Sequence, residues 1–247
     1  IPEYVARAWN VATSGRPGPV VIALPEDMLC DEVEAIDRPP LPRVTQAPDR
    51  HAMQAMAALI RQAERPVVIV GGAGWTAAAG AAFANFAERT GLPVACAFRR
   101  QDALPAGSPV YAGNLGYGPN PKLASRIKGA DLILAVGARL GEATTDGYTL
   151  ITPDHPGQTL IHVHPDPNEL GRVYRADIAI CADMTSFAGA AALENIPPIR
   201  GGAAAEAHAE WLDWSTPKPR EGVALDLGQC VAAMREAMPA DTIICNG

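Results

Sequence analysis

The chain has no apolar run approaching the roughly 20 residues that span a bilayer, so no transmembrane helix is expected. It has no dense Lys/Arg tract and carries a net charge of −7, which argues against nucleic acid or an anionic membrane surface as partner. A signal-peptide pattern is missing too, since residues 1–30 mix a helix-like segment with a strand-like one. The five cysteines are odd in number, scattered, and include no C-x-x-C. They read as reduced, mostly buried thiols of a cytoplasmic protein rather than ligands or bridges. Ser125, Ser186 and Ser215 lack any G-x-S-x-G context, and nothing pairs a nucleophile with a base. His162 and His164 alternate on a strand, are expected to face opposite ways, and have no evident third ligand, so no metal is expected. Glu26 and Asp27 read as a solvated strand end. An initiator methionine is also absent. The sequence begins in a helix-like segment and ends in a strand entering a turn, and we expect a piece excised from a longer protein.

What the sequence does have is a core and a pattern. Apolar residues make up 48% and charged residues 19%, ordinary values for a soluble globular protein. The chain is organised around residues 65–75, Arg-Pro-Val-Val-Ile-Val-Gly-Gly-Ala-Gly-Trp. Its unbroken apolar run has no polar side and suits a strand buried on both faces of a parallel sheet. Glycines stop the run, and an alanine-rich helix is expected over 76–89. Gly72, Gly74 and Ala77 fit G-x-G-x-x-G/A, in which bare backbone N–H groups approach a pyrophosphate at a helix N-terminus. Tight strand–helix packing would explain the same glycines equally well.

Around this stretch the chain alternates. A helix is expected over 3–14 and a buried strand over 19–24, followed by a proline-rich linker, 31–48. Asp49 is a plausible N-cap for a helix with Met53, Met56, Ala57 and Ile60 on one face. Strands are expected at 67–70, 92–96, 110–113, 131–137, 160–164 and 177–181, with helices between them and a last helix near 183–194. Such alternation implies right-handed crossovers and a six-stranded, parallel, doubly wound α/β sheet with helices on both faces. Residues 196–224 read as a second linker, within which 207–214 can form a helix docking its tryptophans. A further helix, 226–237, and a strand, 242–245, close the chain.

Ligands on such sheets bind at the carboxyl ends of the strands. The glycine clusters 71–74, 113–118 and 137–141 all follow strands at that end, which favours a ligand site. An ordinary NAD site would place Asp or Glu after the second strand, yet Phe98-Arg99-Arg100 stands there. Arg99 and Arg100 favour a phosphate or carboxylate, or else pair with Asp102 on the surface. Arg139 sits beside glycine at a strand's carboxyl end, where a guanidinium can grip a diphosphate or stack on a flat ring.

These motifs resemble the thiamine diphosphate-dependent enzymes of the acetolactate synthase group. Residues 15–27, Gly-Arg-Pro-Gly-Pro-Val-Val-Ile-Ala-Leu-Pro-Glu-Asp, resemble the last strand of that family's pyrimidine-binding domain. Residues 65–74 resemble the opening of its central domain, and Ala130–Arg139 its ADL-hydrophobic-VGAR strand. Ile161-His162-Val163-His164-Pro165-Asp166-Pro167 is similar to an I-H-I-D-I-D-P run, and 241–247 to the first strand of the diphosphate-binding domain. The resemblance implies a pyrimidine-domain end at 1–30, a central domain at 49–195 and a diphosphate-domain start at 225–247. It implies that the central domain binds FAD, as in acetolactate synthases, or an ADP-type nucleotide, or nothing. The matching contact residues are Gly71, Gly72, Gly74, Leu115, Gly116, Gly137, Ala138, Arg139, His164 and Asp166, with Arg99 added on its charge. Three departures stand out: His164 for the first Asp of the run, Leu140-Gly141-Glu142 for F-D-D-R, and Phe98-Arg99-Arg100-Gln101 for a small glycine-rich segment.

The family's catalytic glutamate and its Mg²⁺- and diphosphate-holding G-D-G…N motif have no match in this chain. The resemblance therefore implies that thiamine diphosphate and Mg²⁺ belong to flanking catalytic domains, in a parent acting on 2-keto acids as a homodimer or homotetramer. The rival readings are a free-standing nucleotide- or flavin-binding module and a purely structural domain.

Overall fold

A computed structural model of the chain describes residues 1–42, 44–153, 157–239 and 241–245. Helix α1, Pro2–Thr13, buries none of its residues. The expected strand at 19–24 is extended but pairs with nothing among the described residues, and Val21 is exposed. An apolar run becomes a strand only when a neighbour satisfies its N–H and C=O groups, and no neighbour meets it here.

The sheet domain opens where Asp49 caps α2, Arg50–Gln62, by accepting the Ala52 N–H. Met53, Met56, Ala57 and Ile60 form its buried stripe, as the spacing predicts. Strand β1, Pro66–Val70, is buried at all five positions. Asp131 pins its start, accepting hydrogen bonds from the Glu64 and Arg65 N–H groups at 2.7 and 2.9 Å. Thr76 caps α3, Ala77–Thr90, and Gly91 ends it in the left-handed conformation at φ 67°. Next come β2, Val94–Cys96; β3, Tyr111–Asn114; α4, Pro121–Lys128; and β4, Leu132–Val136. Then follow β5, Thr159–His164; β6, Ile178–Cys181; and α5, Met184–Leu193, capped by Asp183.

All six strands are parallel, in the order β3-β2-β1-β4-β5-β6. One face is covered by α2, α3 and α5, around Phe83, Phe86 and Phe187. The other carries Leu123 and Ile127 of α4 and Ala207 of α6, Ala203–Ser215, together with Leu140, Leu150, Ile151 and Tyr174 from loops. The strands do not alternate with helices as regularly as expected. Among the described residues, only the β1–β2 and β3–β4 connections hold an α-helix. The β4–β5 loop instead lays its own leucine and isoleucine on the sheet, so packing is met without a helix.

Helix α6 docks one tryptophan of the expected two. Trp211 meets Tyr111 edge-on with ring centroids 4.8 Å apart, while Trp214 is exposed. Helix α7, Leu227–Ala237, capped by Asp226, buries none of its residues. The strand expected at 242–245 does not form, for the same lack of a neighbour, and residues 246–247 lie outside the described residues. Among the described residues no helix is long and apolar enough to cross a membrane.

Candidate functional site

The strand order turns around at β1 and β4. From β1 the chain moves outward through β2 to β3, crosses back to β4 beside β1, then moves outward the other way. Loops leaving β1 and β4 therefore diverge and leave a crevice at the carboxyl edge, the usual ligand position on such sheets. A cleft of about 410 Å³ lies there, walled by Gly72, Ala97, Phe98, Arg100, Ala138, Arg139, Gly141, Glu142, Ala143, Thr144 and Tyr148.

Gly71, Gly72 and Gly137 sit in the two turns at the crevice, and tight packing explains each of them. Gly72 has φ 75°, and a Cβ there would lie 1.9 Å from the Gly137 carbonyl oxygen. Gly137, at φ 71°, would place a Cβ 2.4 Å from the Gly71 oxygen and 2.7 Å from Met184 Sδ. A Cβ on Gly71 would meet that of Ala97 at 2.6 Å. The two turns thus touch backbone to backbone, which only bare glycines permit. Gly74 is also left-handed, φ 85°, and lets Trp75 fold back so that its Nε1–H donates to the Gly71 oxygen at 2.8 Å.

The remaining candidates divide. Ala138 and Arg139 line the cleft. Arg99, held at φ 59°, lays its guanidinium over the Phe98 ring at 5.2 Å. Arg100 pairs with Asp102 at 2.9 and 3.2 Å, and that contact holds the Asp102 carboxyl below its ordinary range. Leu115 is buried, and Gly116 makes room for Phe98, whose Cδ2 would lie 2.6 Å from an added Cβ. These two support the wall and do not line it. Gly113 serves α6 in the same way, facing Trp211 Cδ1 at 3.1 Å.

His164 and Asp166 fold onto each other at the end of β5. The Asp166 N–H donates to His164 Nδ1 at 3.0 Å, and the Asp166 carboxylate accepts from the Asn168 backbone and side chain, both at 2.9 Å. His162 and His164 do not face opposite ways. Residues two apart on a strand share a face, and their rings meet edge-on with centroids 6.2 Å apart. His162 is buried, and its Nε2–H donates to the Ala138 oxygen at 2.8 Å, which anchors the Gly-Ala-Arg turn from beneath. Its Nδ1 has no partner among the described residues.

Burial holds both imidazoles below the ordinary histidine range, because a charged ring loses its solvation there. The unfolded chain therefore takes up protons below about pH 6.5 that the folded chain refuses. Stability is full above that pH and falls as the pH drops toward the folded values, by up to about 1.4 kcal/mol per pH unit for each ring. We expect urea midpoints to fall between pH 7.5 and 5.5, and His162→Gln to flatten that fall. An unchanged slope in the variant would show that His162 is not responsible.

One residue that organises the arginines at this edge carried no signal in the sequence. Glu169, in the loop after β5, has a side chain only 4% exposed, and its Oε1 meets three guanidiniums. Arg16 Nη1 lies at 3.1 Å, Arg139 Nε at 3.3 Å and Arg172 Nη1 at 3.1 Å. A single glutamate among loop prolines gives no periodicity or spacing by which to find it. Only its three partners mark it, Arg172 from its own loop and Arg16 and Arg139 from distant parts of the chain.

This is a Rossmann-ordered α/β domain with a crevice at its switch point, lined by glycine turns and arginine. Residues 53–191, more than half of the chain, match the family model described as thiamine pyrophosphate enzyme, central domain, and the chain belongs to that family. It is 28% identical over 218 residues to the acetolactate synthase large subunit of Corynebacterium glutamicum, covering 87% of this chain and 34% of that protein. It is 31% identical over 191 residues to the glyoxylate carboligase of Escherichia coli O157:H7, covering 74% of this chain and 31% of that one. The chain thus spans about a third of the length of the curated relatives it matches. The fold is also that of benzoylformate decarboxylase from Polynucleobacter necessarius, with a TM-score of 0.70 over 98% of this chain and 44% of the other, at 22% identity.

Proposed function

We propose that this chain is the central domain of a thiamine diphosphate-dependent carboligase or decarboxylase acting on a 2-keto acid, and that its crevice takes an ADP-type nucleotide. The domain is architectural first. Its boundaries are 49–195, with the end of a pyrimidine-binding domain at 1–30, linkers at 31–48 and 196–224, and the start of a diphosphate-binding domain at 225–247. Thiamine diphosphate supplies the electron sink next to the substrate carbonyl. We assign it and Mg²⁺ to the flanking catalytic domains, because the family's catalytic glutamate and G-D-G…N motif have no match in this sequence. The parent is a cytoplasmic homodimer or homotetramer on this reading.

The observation that carries the nucleotide is the meeting of Arg139 with Phe98 and Tyr148 around one cleft at the switch point. A guanidinium suits a phosphate, and two aromatic walls suit a flat base. The cleft's roughly 410 Å³ lies near the small end of ligand sites, about 300–1,000 Å³. The departures at His164, Leu140-Gly141-Glu142 and Phe98-Arg99-Arg100-Gln101 from the FAD-binding pattern favour ADP over FAD. The closure of Gly72 on Gly137 supports a second reading, a domain that binds nothing and uses its glycines for packing alone. Calorimetric titration with ADP, FAD and CoA separates them. We expect heat with ADP, and binding weakened about 10-fold or more in Arg139→Ala, as for loss of a charge-assisted hydrogen bond. Absence of heat with all three ligands would leave the structural reading standing.

A further inference from the structure

Glu169 combines features that rarely occur together on a loop. Its carboxylate is almost wholly buried, yet it stands at the carboxyl edge of the sheet, where solvent is near. Three arginines share one of its oxygens, and each arginine is about half exposed. Exposed ion pairs contribute little singly, but a network on one fixed carboxylate orders every member. Three guanidiniums share this one carboxylate, with the Asp166 carboxylate close enough to Arg16 to interact with it, so positive charge is still in excess, and without Glu169 the guanidiniums would repel each other. The three come from separate places. Arg172 belongs to Glu169's own loop, Arg139 to the turn after β4 that lines the cleft, and Arg16 to the segment after α1. Residues 15–18 reach the sheet domain through this pair, since Arg16 Nη1 donates to Glu169 Oε1. Segment 19–24 beyond it is extended and unpaired among the described residues.

We propose that Glu169 is a positioning residue that serves two sites at once, the crevice and the docking of the N-terminal segment. It aims Arg139 at the cleft and holds Arg16 on the domain. An anion arriving at Arg139 adds negative charge to a cluster in which guanidiniums outnumber carboxylates, relieves the repulsion among them, and so tightens the hold on Arg16. Anion binding and segment docking therefore favour each other. Because such coupling is reciprocal, loosening the segment must weaken the anion by the same factor. Arg16 acts through Glu169 and need not touch the ligand. The coupling half rests on the nucleotide reading above; the joint between Glu169 and Arg16 does not.

The test measures docking directly. Spin labels are placed at Val21→Cys and Tyr117→Cys, both highly exposed positions, with Cys30, Cys181, Cys230 and Cys245 changed to serine. Electron-paramagnetic distance distributions are recorded on the full chain with and without ADP. Without ligand, Glu169→Gln is expected to broaden the distribution at least two-fold, whereas Arg172→Ala, which leaves the Arg16–Glu169 pair in place, broadens it little. With ADP, the wild-type distribution narrows and the Glu169→Gln distribution does not. ADP binding weakens about five-fold or more in both Glu169→Gln and Arg16→Ala, the low end of typical coupling. An unchanged ligand-free distribution in Glu169→Gln overturns the joint, whatever the nucleotide does. ADP that binds the wild type without narrowing the distribution overturns the coupling alone. ADP that fails to bind the wild type overturns the nucleotide reading and the coupling with it, while the ligand-free comparison still decides the joint. A merely structural salt bridge would not make the distribution respond to ligand.

Discussion

Gly72→Ala is expected to lower the unfolding free energy by about 2–6 kcal/mol, an unusually large cost for one methyl group. Two penalties add. The residue sits at φ 75°, where a side chain strains the backbone by about 1–3 kcal/mol. The new Cβ would also lie 1.9 Å from the Gly137 oxygen, and backbone cannot step aside as a flexible side chain can. Either the two turns separate or β1 slips against β4, and overpacking of this kind costs a further 1–3 kcal/mol or so. Gly141→Ala is the control. Its glycine also follows β4, but it has no left-handed φ and open space around it, so the change should stay within about 0.5 kcal/mol. Urea denaturation of the two variants decides the matter. If Gly72→Ala fell within 1 kcal/mol of Gly141→Ala, the turns would not be packed backbone on backbone, and room for a ligand between them would become the better explanation of the glycines.

Phe83→Ala should cost about as much, some 3–5 kcal/mol, for a different reason. Phe83 is fully buried, and its ring lies 5.6 Å from that of Trp75, 5.8 Å from Phe86 and 6.5 Å from Phe187. It therefore joins α3 to α5 and to the turn that leaves β1. Truncation leaves a cavity that these rigid rings cannot collapse to fill, so lost transfer energy and cavity cost add. The consequence reaches the crevice, because Trp75 rests on Phe83 while donating to the Gly71 oxygen. We expect a lower thermal midpoint together with a red-shifted tryptophan emission as Trp75 gains water. Leu193→Ala, at an exposed position of the same helix pair, should change neither. A full loss of stability with unaltered emission would separate Trp75 from this cluster.

These two variants also show how far the sequence could be followed. The β-branched run at 67–70, the Asp49 cap and the stripe Met53, Met56, Ala57 and Ile60 are local patterns, and each forms as its spacing requires. The strand at 19–24 is equally apolar and does not form, because a strand is defined by its neighbour and not by its own composition. His162 and His164 share a face rather than pointing opposite ways, because side chains two apart on a strand lie on the same side.

The sequence by itself determined the six parallel strands of the sheet domain and the family, since hydrophobic period, caps and glycine punctuation act within a few residues of one another. What it could not decide was the use of each polar or glycine residue at the crevice. The glycine motif fits a cradle for phosphate and a close approach of two turns alike, and only the placement of the Gly72 backbone against Gly137 tells them apart. Glu169 likewise is one acid among many until folding brings Arg16 to it from 153 residues away. Contacts of that range depend on where the strands cross over, and no short stretch of chain records them.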